Sequence, residues 1–236
     1  MNIGIIGTGR MGGTLERIAV EQGHGVIARF WDARPLRPDA ECRGVLSGAD
    51  VLIDFSSAEA VPGNIRIASE LGLPMVEGTT GWSGFLKDAE AEVRRSGIGF
   101  VHAANFSLGV NLFYRVAERA GELFSAFSQY DSFIEETHHQ FKKDAPSGTA
   151  LELRRLLSRS RPDRDIPVTS VRAGYSPGRH AVSFDSAVDT VTLVHTARGR
   201  EGLAAGALLA AEWIRGRTGF YHFSEVLEQI LSERTT

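Results

Sequence analysis

The residues best suited to chemistry concentrate between Glu136 and Ala150, in the run Glu-Thr-His-His-Gln-Phe-Lys-Lys-Asp-Ala-Pro-Ser-Gly-Thr-Ala. His138 and His139 titrate near neutral pH, where a side chain can both hold and release a proton. Lys142 and Lys143 add positive charge. Pro146-Ser147-Gly148-Thr149 reads as a turn that opens a helix over about residues 147–160. The first N–H groups of a helix have no internal acceptor, and the helix dipole adds positive potential there. The N–H groups of Ser147, Gly148 and Thr149 therefore form a seat for an anion, with Lys142 and either imidazole in reach. Taken singly, these parts are ordinary: a surface histidine pair, a solvated lysine turn, a plain helix start. Their coincidence points to proton donation onto a bound anionic substrate.

A second constellation lies at the N-terminus. Gly7-Thr8-Gly9-Arg10-Met11-Gly12 fits G-x-G-x-x-G, with an apolar run at residues 2–6 before it and Leu15, Ile18 and Ala19 at helical spacing after it. Such glycines permit a tight turn and let a pyrophosphate approach the helix N-terminus. Asp32 closes the next apolar run, about 20 residues on, where a carboxylate accepts hydrogen bonds from ribose hydroxyls. Arg10, Arg29 and Arg34 stand near in sequence and suit a 2′-phosphate, which leaves NADH and NADPH both open.

The elements that must hold these groups follow from the apolar pattern. Residues 2–6, 24–31, 51–55, 74–77 and 98–102 read as strands alternating with helices, which argues for a doubly wound parallel sheet with helices on both faces. Ligands in such sheets bind at the carboxyl ends of the strands. Asp32, Asp54, the turn Gly78-Thr79-Thr80-Gly81 and the segment Ala103-Ala104-Asn105-Phe106-Ser107 all fall at those ends. A long helix at 109–124 and a strand at 129–137 then lead into the histidine pair. The pair sits at a strand end, so alternate pleat directions send His138 and His139 to opposite sides. Runs at 167–173, 181–186 and 190–195 have period-two character and predict a mixed or antiparallel sheet, hence a second, α+β domain. Two helices, 202–215 and 224–231, finish the chain and are expected to return to the first domain. The expected division is 1–106 with 201–236 as the dinucleotide-binding domain, and 107–200 as the second.

Composition sets the bounds. The chain has 236 residues with 42% hydrophobic and 23% charged content, ordinary for a globular protein. A net charge of −3 gives no general attraction to nucleic acid or to an anionic membrane. One cysteine, Cys42, excludes an internal disulfide framework and fits a reducing compartment. With no signal-peptide pattern at Met1 and no apolar run long enough for a bilayer, a cytoplasmic location is expected. No metal is expected, because no cysteine or carboxylate at ligand spacing completes a set around the histidines, although Glu135 and Glu136 are close.

The quoted motifs resemble the dihydrodipicolinate reductase family nearly end to end. The resemblance rests on Gly-Arg-Met-Gly at 9–12, Ile-Asp-Phe at 53–55, Gly-Thr-Thr-Gly at 78–81 and Ala-Asn-Phe-Ser-Leu-Gly-Val-Asn at 104–111. It also rests on the 136–150 run, Val-Arg-Ala-Gly at 171–174 and Gly-Ala-Leu-Leu-Ala-Ala-Glu-Trp at 206–213. It implies a Rossmann-like cofactor domain joined to a substrate and tetramerisation domain. It also implies reduction of a cyclic imine dicarboxylate, 4-hydroxy-tetrahydrodipicolinate, by NADH or NADPH on the diaminopimelate route to lysine, in a homotetramer. Carried over by position, His138 is the general acid and Lys142 the second proton donor and carboxylate partner. His139, Ser147, Gly148 and Thr149 hold the substrate. Gly7, Gly9, Arg10, Met11, Gly12, Asp32, Gly78, Thr79, Thr80, Ala104, Asn105 and Phe106 line the cofactor. The segment 195–202 departs from the family's pattern and leaves Arg200 without an assigned role. Two rival readings remain at this point: a reductase of another small anionic imine, and a non-catalytic dinucleotide-sensing protein.

Overall fold

A computed structural model describes residues 1–235. The chain divides into two units, Met1–Ser107 with Arg200 onward, and Leu108–Gly199. The first unit runs β1 (Asn2–Ile6), α1 (Arg10–Glu21), β2 (Gly25–Phe30), α2 (Ala40–Val45), β3 (Val51–Asp54), α3 (Val61–Leu71), β4 (Met75–Glu77), α4 (Leu86–Ser96) and β5 (Gly99–His102). The second holds α5 (Leu108–Ser125), β6 (Asp131–His138), α6 (Gly148–Ser160), β7 (Val168–Arg172), β8 (Arg179–Asp185) and β9 (Thr190–Thr196). The chain then gives the first unit α7 (Glu201–Ile214), β10 (Gly219–His222) and α8 (Phe223–Thr235).

The first unit is a six-stranded sheet in the order β10-β5-β4-β3-β1-β2, parallel at every pairing. Its strands are apolar on both faces, as parallel strands covered by helices must be. On one face Ile3, Ile5, Ile53, Val76 and Val101 pack with Leu15 of α1 and with Ala204, Ala207, Leu208 and Ala211 of α7. The alanines suit close packing of α7 on the sheet. On the other face Leu52, Met75 and Phe100 pack with Val61, Ile65 and Ala68 of α3 and Val93 of α4. Each fully buried Ile, Leu or Phe is worth roughly 1.5–3 kcal/mol. The sixth strand, β10, is a feature the apolar pattern does not predict. Gly219-Phe-Tyr-His is too short to show a period; pairing with the edge of β5 and stacking of Phe220 on Phe100 (5.1 Å between rings) make it a strand.

The second unit has a four-stranded sheet ordered β7-β6-β8-β9. It is mixed: β7 runs parallel to β6, while β8 pairs antiparallel with both β6 and β9. Helices α5 and α6 cover one face through Phe113, Ala117, Leu153 and Leu157 against Ile134, Val182 and Phe184. Strand β9 is an edge, and Val191 and Val194 on it are exposed.

Candidate active site

In the second unit His138 is the last residue of β6, and its ring is turned into the protein. Antiparallel pairing puts Glu136 opposite His180 of β8. The result is a buried cluster. His138 Nε2 lies 3.3 Å from His180 Nε2, and Glu136 Oε2 lies 3.4 Å from the first and 3.5 Å from the second. Glu136 Oε1 accepts from the Ser147 N–H (2.9 Å), Ser170 Oγ (2.6 Å) and Arg172 Nη2 (2.6 Å). Burial pushes the Glu136 carboxyl up, but these donors outweigh it and hold it at about 2, so it is charged. Burial lowers both imidazoles, His180 to about 4; the Glu136 charge works against this at His138 and at His180. Of the two His138 nitrogens, Nε2 is taken up by this cluster, which leaves Nδ1 for a substrate.

Three ligand atoms of Glu136, His138 and His180 lie within 4.8 Å of one another. This corrects the expectation that no set of ligand spacing is completed: His180 completes one, from a strand far away in sequence. The guanidinium of Arg172 on the same carboxylate and the Ser147 hydroxyl, 3.1 Å from His180 Nε2, favour a proton network over a cation there.

Ser147 is the N-cap of α6, its hydroxyl accepting from the Ala150 N–H. Its own N–H is spent on Glu136, and it is buried. The anion seat is thus narrower than the sequence suggests: Ser147 frames it, and the N–H groups of Gly148 and Thr149, which have no acceptor within the helix, remain for a ligand. The Ala145–Pro146 peptide bond ahead of it is cis. Lys142 lies in the loop before this turn, its Nζ 2.7 Å from Asp144. His139 is half-buried, its ring 6.2 Å from that of Phe141. Glu136 and His180 were not singled out from the sequence as site residues; the signal for them is a two-residue alternation, Glu136-x-His138, facing a histidine in a period-two run.

The first unit carries the glycine loop between β1 and α1. Gly7 has φ of +89°, and a Cβ there would meet the Phe55 carbonyl oxygen at 2.3 Å. A Cβ on Gly12 would meet the Gly7 carbonyl oxygen at 1.9 Å, so only glycine lets α1 start this close to β1. The N-terminus of α1 has no side-chain cap and no acidic residue in its first turn. That fits a pyrophosphate, the chemistry the motif implies. Arg10 and Asp32 are exposed beside it, and Met11 is partly buried against the core. Arg29 is paired with Glu16, and Arg34 with Glu41 at 3.4 Å.

The other strand-end segments sort by exposure. Thr80 and Ala104 are exposed. Thr79 is buried, its N–H on Glu77 Oε1 at 2.6 Å and its hydroxyl accepting from the Ser56 N–H at 3.1 Å. Asn105 Oδ1 accepts from the Ser107 N–H. The Phe106 side chain is 1% exposed and packs on Phe223, so a cofactor contact by Phe106 is confined to its backbone.

The family description "Dihydrodipicolinate reductase, N-terminus" matches residues 1–106 and "Dihydrodipicolinate reductase, C-terminus" matches residues 109–227. The chain is 34% identical to the 4-hydroxy-tetrahydrodipicolinate reductase of Christiangramia forsetii, over 98% of this chain and 99% of that one. It is 33% identical to the namesake of Archaeoglobus fulgidus, over 97% and 100%. A solved dipicolinate-bound dihydrodipicolinate reductase from Paenisporosarcina sp. TG-14 has the same fold, with a TM-score of 0.80 at 20% identity over 96% of this chain and 99% of that one. The glycine cradle, the Glu136–His138–His180 cluster and the α6 N-terminus thus belong to a member of the dihydrodipicolinate reductase family.

Proposed function

We propose that this chain is an NAD(P)H-dependent 4-hydroxy-tetrahydrodipicolinate reductase of lysine and diaminopimelate biosynthesis. Its relatives at one-third identity over nearly the whole chain carry that name. The observation that carries the mechanistic reading is the buried cluster around His138. The bound nicotinamide supplies a hydride; the substrate takes it with one proton and loses its hydroxyl as water. The chain's own residues do the rest. Gly148 and Thr149 N–H groups and Lys142 bind the substrate carboxylates, with His139 beside them, and Ser147 sets the turn. As an imidazolium, His138 gives its Nδ1 proton to the reduced substrate and keeps its Nε2 proton against Glu136. Lys142 stabilises the charge that develops.

On the cofactor side, Gly7, Gly9 and Gly12 bring the pyrophosphate to α1, with Arg10 and Met11 at its edge. Asp32 takes the ribose, and Gly78, Thr80, Ala104 and the backbone of Asn105 and Phe106 flank the nicotinamide half. Thr79 acts from within the loop. Pairing of Arg29 with Glu16 leaves Arg10 and Arg34, the latter against Glu41, as the cations for a 2′-phosphate, so NADH and NADPH both fit. The first unit serves the dinucleotide, and the second serves the substrate and assembly as a homotetramer, for which the exposed Val191 and Val194 on edge strand β9 argue. The location is cytoplasmic; no helix among the described residues is long and apolar enough to cross a membrane.

The test is an absorbance assay of nicotinamide oxidation with freshly generated 4-hydroxy-tetrahydrodipicolinate. Oxidation that depends on this substrate, and not on other small imines, is expected. Cofactor binding without turnover of any imine would instead mark a sensing protein.

A further inference from the structure

Asp54 and Glu77 form a buried acid pair that this reaction does not use. Their strands, β3 and β4, are adjacent and parallel, and the register sets Asp54 beside Glu77. Neither residue has exposed surface. Asp54 Oδ1 accepts from the Ser56 N–H at 2.7 Å, and Oδ2 accepts from Asn64 Nδ2 at 2.8 Å. Glu77 Oε1 accepts from the Thr79 N–H at 2.6 Å, while Oε2 receives no donor from any other group. The register sets the two carboxyls side by side, and each acts on the other's ionisation. Contact between carboxyl oxygens is attractive only when one of them carries a proton.

No cation among the described residues offsets the pair. Neither residue takes part in an ion pair among the described residues. On β5 the register position beside Glu77 is His102, and beyond it on β10 is His222. Burial and His222 hold the His102 imidazole down to about 4, so it adds no counter-charge near neutral pH. From α3 the facing group is the uncharged Asn64. Burial, with the Asp54 charge added, raises Glu77 well above the usual carboxyl range. Two adjacent buried carboxylates without a cation do not both ionise.

We propose that Glu77 stays a carboxylic acid that donates to Asp54, and that this shared proton pins the Ser56 and Thr79 loops in the arrangement the cofactor needs. The second half rests on the reading of Gly78–Thr80 as a cofactor loop. Glu77 is then a positioning residue, acting through Thr79.

The test is Glu77→Gln, whose amide keeps an acceptor for Thr79 and a donor for Asp54 but cannot titrate. A group whose folded pKa is raised loses stability as pH climbs from its unfolded value, about 4.5, toward the folded one. The melting temperature of Glu77→Gln minus that of wild type should therefore grow by several degrees between about pH 5 and pH 8. The wild-type cofactor KM should rise roughly fivefold or more as pH climbs and the shared proton is lost, while that of Glu77→Gln stays flat. Parallel melting profiles would overturn the shared proton. Matching KM profiles would overturn the positioning role. If wild type oxidises neither NADH nor NADPH, the cofactor reading fails, and the melting profiles still decide the proton.

Discussion

In its proposed role, His138 holds a proton in a setting that disfavours charge. Burial lowers its pKa, and Glu136 opposes that loss from 3.4 Å. Removing the opposing charge should lower the pKa further, so Glu136→Gln should move the alkaline limb of kcat/KM to lower pH and cut turnover on the order of tenfold near neutrality. An unmoved limb would count against the cluster as the keeper of that proton. A dicarboxylate beside the ring raises its pKa again, so the limb in kcat should lie at higher pH than that in kcat/KM. Lys142→Ala should lower turnover and raise the substrate KM together, since in the proposed role one ammonium serves both carboxylate and developing charge. Treatment with a chelator should leave activity unchanged; a loss restored by a divalent metal would assign the Glu136–His138–His180 set to a cation instead. His180 adds a stability signature. Its folded pKa of about 4 lies below the ordinary imidazole value. The stability it allows is present above about pH 6.5 and is lost as pH falls toward 4, because the unfolded chain takes up the proton first. His180→Asn should flatten that acid limb of a melting-temperature profile.

At the scale of elements, α6 shows how one cap serves two ends. Ser147 closes the helix with its hydroxyl and orients Glu136 with its N–H. Ser147→Ala keeps the N–H and loses the cap, so it should cost about 1 kcal/mol of stability, read by denaturant unfolding, with a smaller change in turnover. What was legible in the sequence follows the same division. The parallel alternation, the glycine loop, the strand ending at His138 and the start of α6 are local patterns, and each could be read from spacing alone. Contacts made across a sheet could not. His180 joins Glu136 only through the β6–β8 register, and β10 becomes a strand only because β5 offers an edge. Exposure also escapes spacing: Phe106 and Thr79 sit in motifs of binding type, yet their side chains are buried.

At the scale of the whole molecule, the proposed function assigns the dinucleotide to the first unit and proton donation to the second. The first supplies a glycine cradle that a single Cβ would fill, and the second supplies the only buried carboxylate–imidazole cluster among the described residues. The proposed assembly through β9 predicts a tetrameric mass by light scattering, with a charge at the exposed position 194, as in Val194→Lys, shifting it to smaller species. In the proposed mechanism His138 delivers the proton. Steady-state turnover of His138→Gln with saturating NADH and fresh 4-hydroxy-tetrahydrodipicolinate tests it most directly. The expected result is a loss of about 10²–10⁴ in kcat, with cofactor affinity within about twofold of wild type. Turnover within about threefold of wild type would contradict the account.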